Sequence, residues 1–273
     1  MPTAADPSWD PGQYLRHADH RARPFTDLLA RVPDLPGRPA RIADLGCGPG
    51  NVTALLAGRW PTARITGYDN SPEMLARARA DHEGPTPGGG RLDFATADAR
   101  TWTPEGPYDL IVSNATLQWV PDHTASFPAW VDALAPGGTF AFQVPGNFDS
   151  PSHRLMRELA ESPRWKDRLA GTLRHDDAVR TPAAYLGHLI AAGCAADETD
   201  VWETTYLHLL KGEDPVLDWV KGTGLRPVLT TLGADADAFV TDYRAALREA
   251  YPPTAHGTVF PFRRIFAVAR KAA

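Results

Sequence analysis

A chain of 273 residues, 43% hydrophobic and 22% charged, has the make-up of a soluble globular protein with one large domain and length left over for a lid. Its 28 Lys and Arg against 33 Asp and Glu leave a formal charge of -5. That balance argues against a nucleic-acid partner, since such binders carry a basic excess or stripe, but it allows a small anion held by a few arginines. The cysteines, Cys47 and Cys194, have no metal-ligand spacing, and neither a leader peptide nor an apolar span of roughly 20 residues is evident. The expectation is a cytoplasmic protein with no disulfide, no metal, no membrane association and no obligate protein partner.

The first 40 residues are polar with scattered aromatics (Trp9, Tyr14, Phe25), and a helix is expected over Tyr14–Leu29 with a break at Pro24. From Arg41 the pattern becomes strand, turn, helix. Arg41–Leu45 is a short apolar strand, a glycine loop follows, and Val52, Leu55, Leu56 and Trp60 recur at helical spacing until Pro61. Ile65–Tyr68 reads as the second strand, closed by Asp69. Ser71-Pro72 opens a helix, the serine capping free N–H groups and the proline suiting the first helical position, with Met74, Leu75 and Ala78 as its buried stripe. Residues 84–90 (GPTPGGG) are expected to be a flexible loop. Leu92–Ala95 and Asp109–Ser113 read as strands three and four. Phe127, Val131 and Leu134 mark one face of a helix with Pro128 in its first turn, and Pro136-Gly137-Gly138 ends it before strand five, Thr139–Val144.

Beyond Pro145 the rhythm changes. Residues 151–170 look helical, with Leu155, Met156 and Leu159 on one face, and a further helical turn leads to Gly193-Cys194. Val201–Leu210 alternates like a strand, Asp235–Tyr251 is helical, and Arg264–Ala269 is a last strand. Five strands alternating with crossover helices specify a parallel doubly wound sheet. With the two late strands, the expected fold is α/β: a seven-stranded, mostly parallel sheet with an inserted helical cap over its carboxyl edge. The expected division is a helical opening segment (1–40), a cofactor-binding core (41–145), a cap with a late strand (146–255) and a terminal strand (256–273).

The loop Asp44-Leu45-Gly46-Cys47-Gly48-Pro49-Gly50-Asn51 sits at the first strand-to-helix turn, where a doubly wound sheet receives its ligand and a helix start favours a negative group. Its D-x-G-x-G-x-G form departs from the G-x-G-x-x-G of a dinucleotide loop. A nicotinamide dehydrogenase is therefore disfavoured, and an amino-acid tail fits better. Asp44 is placed to receive that tail's ammonium, directly or through water. Asp69 is placed for ribose hydroxyls, although a dinucleotide would use the same acid. Asp98, after strand three, is placed for an adenine amino group. Each acid follows or closes a strand, and together they would meet three parts of one adenosine-bearing ligand.

The glycine loop, Tyr68-Asp69, Asp98 and Pro136-Gly137-Gly138 together resemble class I S-adenosylmethionine-dependent methyltransferases, which have a Rossmann-like core, over residues 41–145. Further segments resemble the trans-aconitate 2-methyltransferase family. They are residues 9–15 (WDPGQYL), 59–67 (RWPTARITG), 117–123 (LQWVPDH), and Asp218-Trp219-Val220 with Thr223-Gly224-Leu225-Arg226-Pro227. Leu173–Thr181, with Arg174, His175 and Arg180, departs from the family's pattern.

The resemblance implies S-adenosylmethionine as cofactor and S-adenosylhomocysteine as product. Around the cofactor it implies Asp44, Gly46, Cys47, Gly48, Gly50, Asn51, Asp69, Asn70, Ser71, Met74, Asp98, Ala99, Asn114 and Gln118. The segment Ser113–Trp119 would face the sulfonium. It carries neither the Asn-Pro-Pro-Tyr of methylation at planar nitrogens nor a Pro-Cys nucleophile for cytosine. The acceptor implied is a small organic acid, trans-aconitate, esterified at one carboxylate, with another organic acid or a hydroxylated metabolite as the alternative. A carboxylate is already ionised at neutral pH, so no general base and no catalytic residue is assigned, and alignment carries the rate. Because a cation would blunt the attacking carboxylate, arginines should anchor the other two. Arg226 and Arg263 are the candidates. Arg264 is the substitute for Arg263, since strand neighbours point to opposite faces. Tyr14, His17, Trp119 and Tyr206 are candidates to line the acceptor site, with a core aromatic at the start of the helix as the less favoured reading of Trp119.

Overall fold

The computed structural model describes residues 18–35, 39–173 and 178–272. Its strands are β1 (Arg41–Leu45), β2 (Arg64–Asp69), β3 (Gly84–Pro85), β4 (Arg91–Thr96), β5 (Tyr108–Asn114), β6 (Leu134–Pro145), β7 (Cys194–Leu210) and β8 (Thr258–Lys271). They form one eight-stranded sheet in the order β3-β4-β2-β1-β5-β6-β8-β7. β4, β2, β1, β5 and β6 are parallel neighbours, β3 runs antiparallel to β4, and β8 runs antiparallel to β6. The chain order turns back between β1 and β5, so the crevice of a doubly wound sheet falls beyond the carboxyl ends of these two strands.

The described residues divide into two compact units. The larger comprises residues 18–35, 39–145, 179–203 and 264–272, and the smaller comprises residues 146–173, 178 and 204–263. In the larger unit, Ala43, Leu45, Ile111, Phe140, Phe142 and Val144 lie on one sheet face. They pack with Phe127, Trp130, Tyr185 and Leu189, all buried. Phe127 meets Phe140 edge-on at 5.1 Å between ring centres, and Trp130 meets Phe140 at 5.6 Å. A fully buried side chain of this size contributes roughly 1.5–3 kcal/mol. The smaller unit has its own core around Trp165, Trp219, Phe239, Tyr243 and Phe260. There the Tyr243 hydroxyl donates to the Ser152 carbonyl at 2.7 Å, and the Ser152 N–H donates to the Tyr251 hydroxyl at 3.0 Å.

Several expectations need correction. Pro24 does not break the first helix, which runs through it over Ala18–Leu29. Proline removes one backbone hydrogen bond, but Phe25 and Leu28 are fully buried, and the Arg59 guanidinium closes the segment's end on the carbonyls of Leu29 and Val32. Residues 84–90 are not a free loop. Gly84 and Pro85 pair with Leu92 and Arg91, which makes the sheet eight strands and not seven. Gly88 and Gly90 lie so close to the backbone of Pro61 and Ala63 that a Cβ would come within 2.6 and 2.3 Å of carbonyl oxygens. Pro136-Gly137-Gly138 sits inside β6, opposite a register shift in β5, so Leu134 belongs to the strand and not to the helix Phe127–Asp132. The single helical turn expected before Gly193 is a ten-residue helix, Pro182–Ala191. Helices Pro215–Lys221 and Arg226–Leu232 were not foreseen. The Ser71 cap and Pro72 start stand as expected.

Candidate active site

The glycine loop hangs from β2: the N–H groups of Gly46 and Cys47 both donate to the Tyr68 carbonyl, at 2.7 and 2.9 Å. Gly46 (φ 76), Gly48 (φ 56) and Gly50 (φ 81) all lie in the left-handed region, where a Cβ is disfavoured. Their surroundings differ. A Cβ on Gly46 would stand 2.0 Å from the Thr116 Oγ1, and one on Gly50 2.8 Å from the Phe94 ring. One on Gly48 would meet nothing within 4 Å. Gly46 and Gly50 therefore close the turn, while Gly48 presents bare backbone to open space that a ligand tail can enter.

Asp44, at the end of β1, is 1% exposed. Its Oδ2 accepts the Thr53 hydroxyl at 2.7 Å, whereas its Oδ1 has no hydrogen-bond partner among the described residues. Burial pushes its pKa up to about 7, offset in part by the Thr53 hydrogen bond and reinforced by the negative charge of Asp69. A buried carboxylate with one unmet oxygen and a second acid beside it favours a cation, and the ammonium of a methionine tail fits that demand. Asp69 accepts the N–H of Gly48 through Oδ2 and that of Ser71 through Oδ1, both at 2.9 Å. Its pKa is raised by burial, which outweighs these hydrogen bonds. The Ser71 hydroxyl accepts the Met74 N–H at 3.3 Å. Met74 is buried, Asn51 and Ala99 are half-buried, and Asn70 is exposed. Asp98 is already occupied: the Arg100 Nε lies 2.8 Å from its Oδ2, and that pairing lowers its pKa. To receive an adenine amino group it must share that guanidinium. Cys47 is buried, and burial raises its thiol pKa above the ordinary value, so it is no nucleophile.

Beyond β5 the backbone turns sharply, with Ala115 at φ 55. Asn114, the last residue of the strand, is 8% exposed, and its Oδ1 has no hydrogen-bond partner among the described residues. The Gln118 Nε2 donates to the Ala115 carbonyl at 2.5 Å, and Trp119 is half-buried at the end of a single 3-10 turn, Leu117–Trp119. His123 pins this segment: Nδ1 lies 3.2 Å from the Val120 carbonyl and Nε2 lies 2.8 Å from the Tyr185 hydroxyl. Burial lowers its pKa to about 4, so it is neutral at pH 7 with both ring nitrogens engaged.

The acceptor candidates fall in different units. Trp119 and Arg264 belong to the larger; Tyr206, Arg226 and Arg263 belong to the smaller. Tyr206 is buried and stacks with His208, ring centres 6.5 Å apart. Arg226 begins the helix Arg226–Leu232 and is half-buried. The half-buried Arg263 donates to the Gly146 carbonyl at 2.9 Å. Arg264, 6% exposed, donates from Nη1 to the Gln143 Oε1 at 2.9 Å. Tyr14 and His17, like Arg174 and His175, lie outside the described residues. Three residues with structural parts in the site were not foreseen: Thr53, Thr116 and Gln143. Gln143 had a signal, being the polar member of the otherwise apolar run Phe140–Val144.

An open α/β sheet with this strand order, an acid-flanked glycine loop at its switch point and an unmet carboxylate beside that loop define the class, the class I S-adenosylmethionine-dependent methyltransferases. Residues 42–138 match a family described as a methyltransferase domain. The chain is 81% identical over 271 residues to the trans-aconitate 2-methyltransferase of Streptomyces avermitilis, covering 99% of each. It is 74% identical over 274 residues to that of Streptomyces coelicolor (99% of this chain, 89% of the other) and 49% identical over 265 residues to that of Rhodococcus jostii (96% and 99%). Similar solved structures include phosphoethanolamine N-methyltransferase 2 of Haemonchus contortus in complex with S-adenosyl-L-methionine. Its TM-score is 0.53 at 16% identity, covering 92% of this chain and 53% of that one. The [4+2]-cyclase SpnF has a TM-score of 0.51 at 17% identity, covering 98% and 87%. A cyclase among these neighbours shows that the fold alone leaves the reaction open. Identity along the whole chain narrows it. This chain belongs to the trans-aconitate 2-methyltransferase family and is a methyltransferase with S-adenosylmethionine as its cofactor.

Proposed function

We propose that the protein esterifies one carboxylate of trans-aconitate, giving a monomethyl ester and S-adenosylhomocysteine. The observation that carries this reading is the extent of the identity: 81% over 99% of the chain reaches both units, whereas the domain match at 42–138 lies within the larger one. When bound, S-adenosylmethionine supplies an electrophilic methyl group on a positively charged sulfur. Asp44 would hold its ammonium, the space at Gly48 would take its tail, and Asp69 would meet the ribose.

An acceptor carboxylate is ionised at neutral pH and needs no base. Neither His123 nor Cys47 offers one: the His123 nitrogens are both engaged and the Cys47 thiol stays protonated. What is left to the chain is orientation and exclusion of water, worth up to roughly 7–11 kcal/mol in favourable cases. The net charge of -5 supports a small-molecule acceptor over nucleic acid. The test is a panel of di- and tricarboxylic acids and hydroxylated metabolites with labelled cofactor. Trans-aconitate should exceed every other acceptor in kcat/KM by about 10-fold or more. A neutral hydroxylated acceptor turning over faster would overturn the proposal.

A further inference from the structure

The sheet's register places a second set of buried polar groups beyond the switch point. Asp44 pairs with Val112, Val112 with Ala141, and Ala141 with Val268. Two residues along, Asn114 pairs with Gln143, and Gln143 with Phe266. Because side chains alternate along a strand, Asn114 and Gln143 share the sheet face of Asp44. Arg264, two residues before Phe266, shares it too. Gln143 has no exposed surface, and Arg264 and Asn114 are 6% and 8% exposed.

The amide orientation follows from chemistry. A guanidinium only donates, so the atom 2.9 Å from the Arg264 Nη1 is the Gln143 oxygen. The Nε2 is thereby turned away, and it has no hydrogen-bond partner among the described residues. A buried amide nitrogen without an acceptor has lost its hydrogen bonds to water and gained none in return. It stands here beside a buried cation, near the carboxyl end of β6, one strand beyond β5. An acceptor atom placed there would meet an N–H donor and a positive charge together, which is the demand a carboxylate satisfies.

We infer that Gln143 and Arg264 form a clasp for a carboxylate of the acceptor, the one that is not methylated. The inference rests on the proposed function and names the group on this chain that would recognise the acid. It assigns the anchoring role to Arg264 over Arg263, whose guanidinium is turned to the Gly146 carbonyl. Gln143 and Arg264 are binding residues, and neither takes part in bond making.

The deciding variant is Gln143→Glu. It keeps the side-chain length and places a carboxylate against Arg264, so the clasp would be filled internally. The expected result is a rise in KM for trans-aconitate of about 100-fold. Affinity for S-adenosylhomocysteine should stay within about two-fold, and the melting temperature should be unchanged or raised. A second variant, Arg264→Lys, should raise KM by about 10-fold, because the fork geometry is lost while the charge stays. If wild type methylates trans-aconitate and Gln143→Glu leaves its KM unchanged, the clasp is wrong and the proposed function stands. If wild type methylates no carboxylic acid, the proposed function fails and the clasp falls with it.

Discussion

The two halves of the sheet's carboxyl edge are built for opposite charges. On one side of the switch point, β1 and β2 bring Asp44 and Asp69, and Asp98 follows β4. On the other side, β5, β6 and β8 bring Asn114, Gln143 and Arg264. A cofactor with a sulfonium and an ammonium suits the first half, and an anionic acceptor suits the second. The halves are also assembled differently. The acid half is local: the Asp44 to Thr53 contact and the Asp69 to Gly48 contact each close within one strand-loop-helix unit or its neighbour. The Gln143–Arg264 pair joins residues 121 positions apart, brought together by the antiparallel return of β8 onto β6. On the proposed reading, opposite charges on the two sides of the switch point would let a cationic donor and an anionic acceptor bind side by side without either displacing the other.

The sharpest way to break this contrast is to remove the acid that carries it. Asp44→Ala should weaken binding of S-adenosylhomocysteine by about 100-fold in calorimetric titration, since a charge-assisted contact is lost. The KM for trans-aconitate, measured at saturating cofactor, should move far less. An equal loss on both sides would mean that the two halves are not separate sites.

A glycine pair sharpens the acid half from within. Gly46→Ala combines a positive φ with overlap against Thr116, and should lower stability by about 3 kcal/mol in urea denaturation. Gly48→Ala shares the positive φ but meets open space, so it should lower stability by only about 1–2 kcal/mol. Its larger effect should be on the cofactor, roughly 10-fold in affinity, because the new methyl enters the space assigned to the tail. If Gly48→Ala binds S-adenosylhomocysteine like wild type, the tail does not lie against Gly48.

The difference in assembly also explains what could be read along the chain. Strand, loop and helix follow one another from Arg41 to Asp69, so the alternation of apolar runs and the spacing of Asp44, Gly48 and Asp69 exposed the acid half directly. The Ser71 cap was legible for the same reason. Gln143 and Arg264 were not legible as a pair, because their partnership is a matter of register between distant strands. The rule that strand neighbours diverge separated Arg263 from Arg264 without saying which one goes inward. Pro24 and residues 84–90 misled because a local breaker was overridden by burial in one case and by close backbone packing in the other. His123 carries no local sign of its task, since its partner Tyr185 comes from a helix 62 residues on.

The smallest effect expected is also the most specific to the acid half, because it moves a pH dependence and little else. Asp44 has a pKa of about 7 in the ligand-free protein against an ordinary 3.8. Between those values the native state binds more protons than the unfolded chain, so ligand-free stability falls as pH rises from about 4 to 7. A bound ammonium favours the ionised form, so cofactor affinity runs the other way. It should drop by up to about tenfold for each pH unit below 7 and level off above. The Thr53 hydroxyl, donating to Asp44 at 2.7 Å, works against the upward shift. Thr53→Val removes that donor at nearly constant volume, so the Asp44 pKa should rise further and the midpoint of the affinity profile should move to higher pH. At pH 7 the variant should bind S-adenosylhomocysteine a few-fold more weakly, and well above the new midpoint it should approach wild type. A midpoint that stays where wild type has it would show that the titrating group governing cofactor binding is not Asp44, and the charge contrast across the switch point would then rest on Asp69 and Asp98.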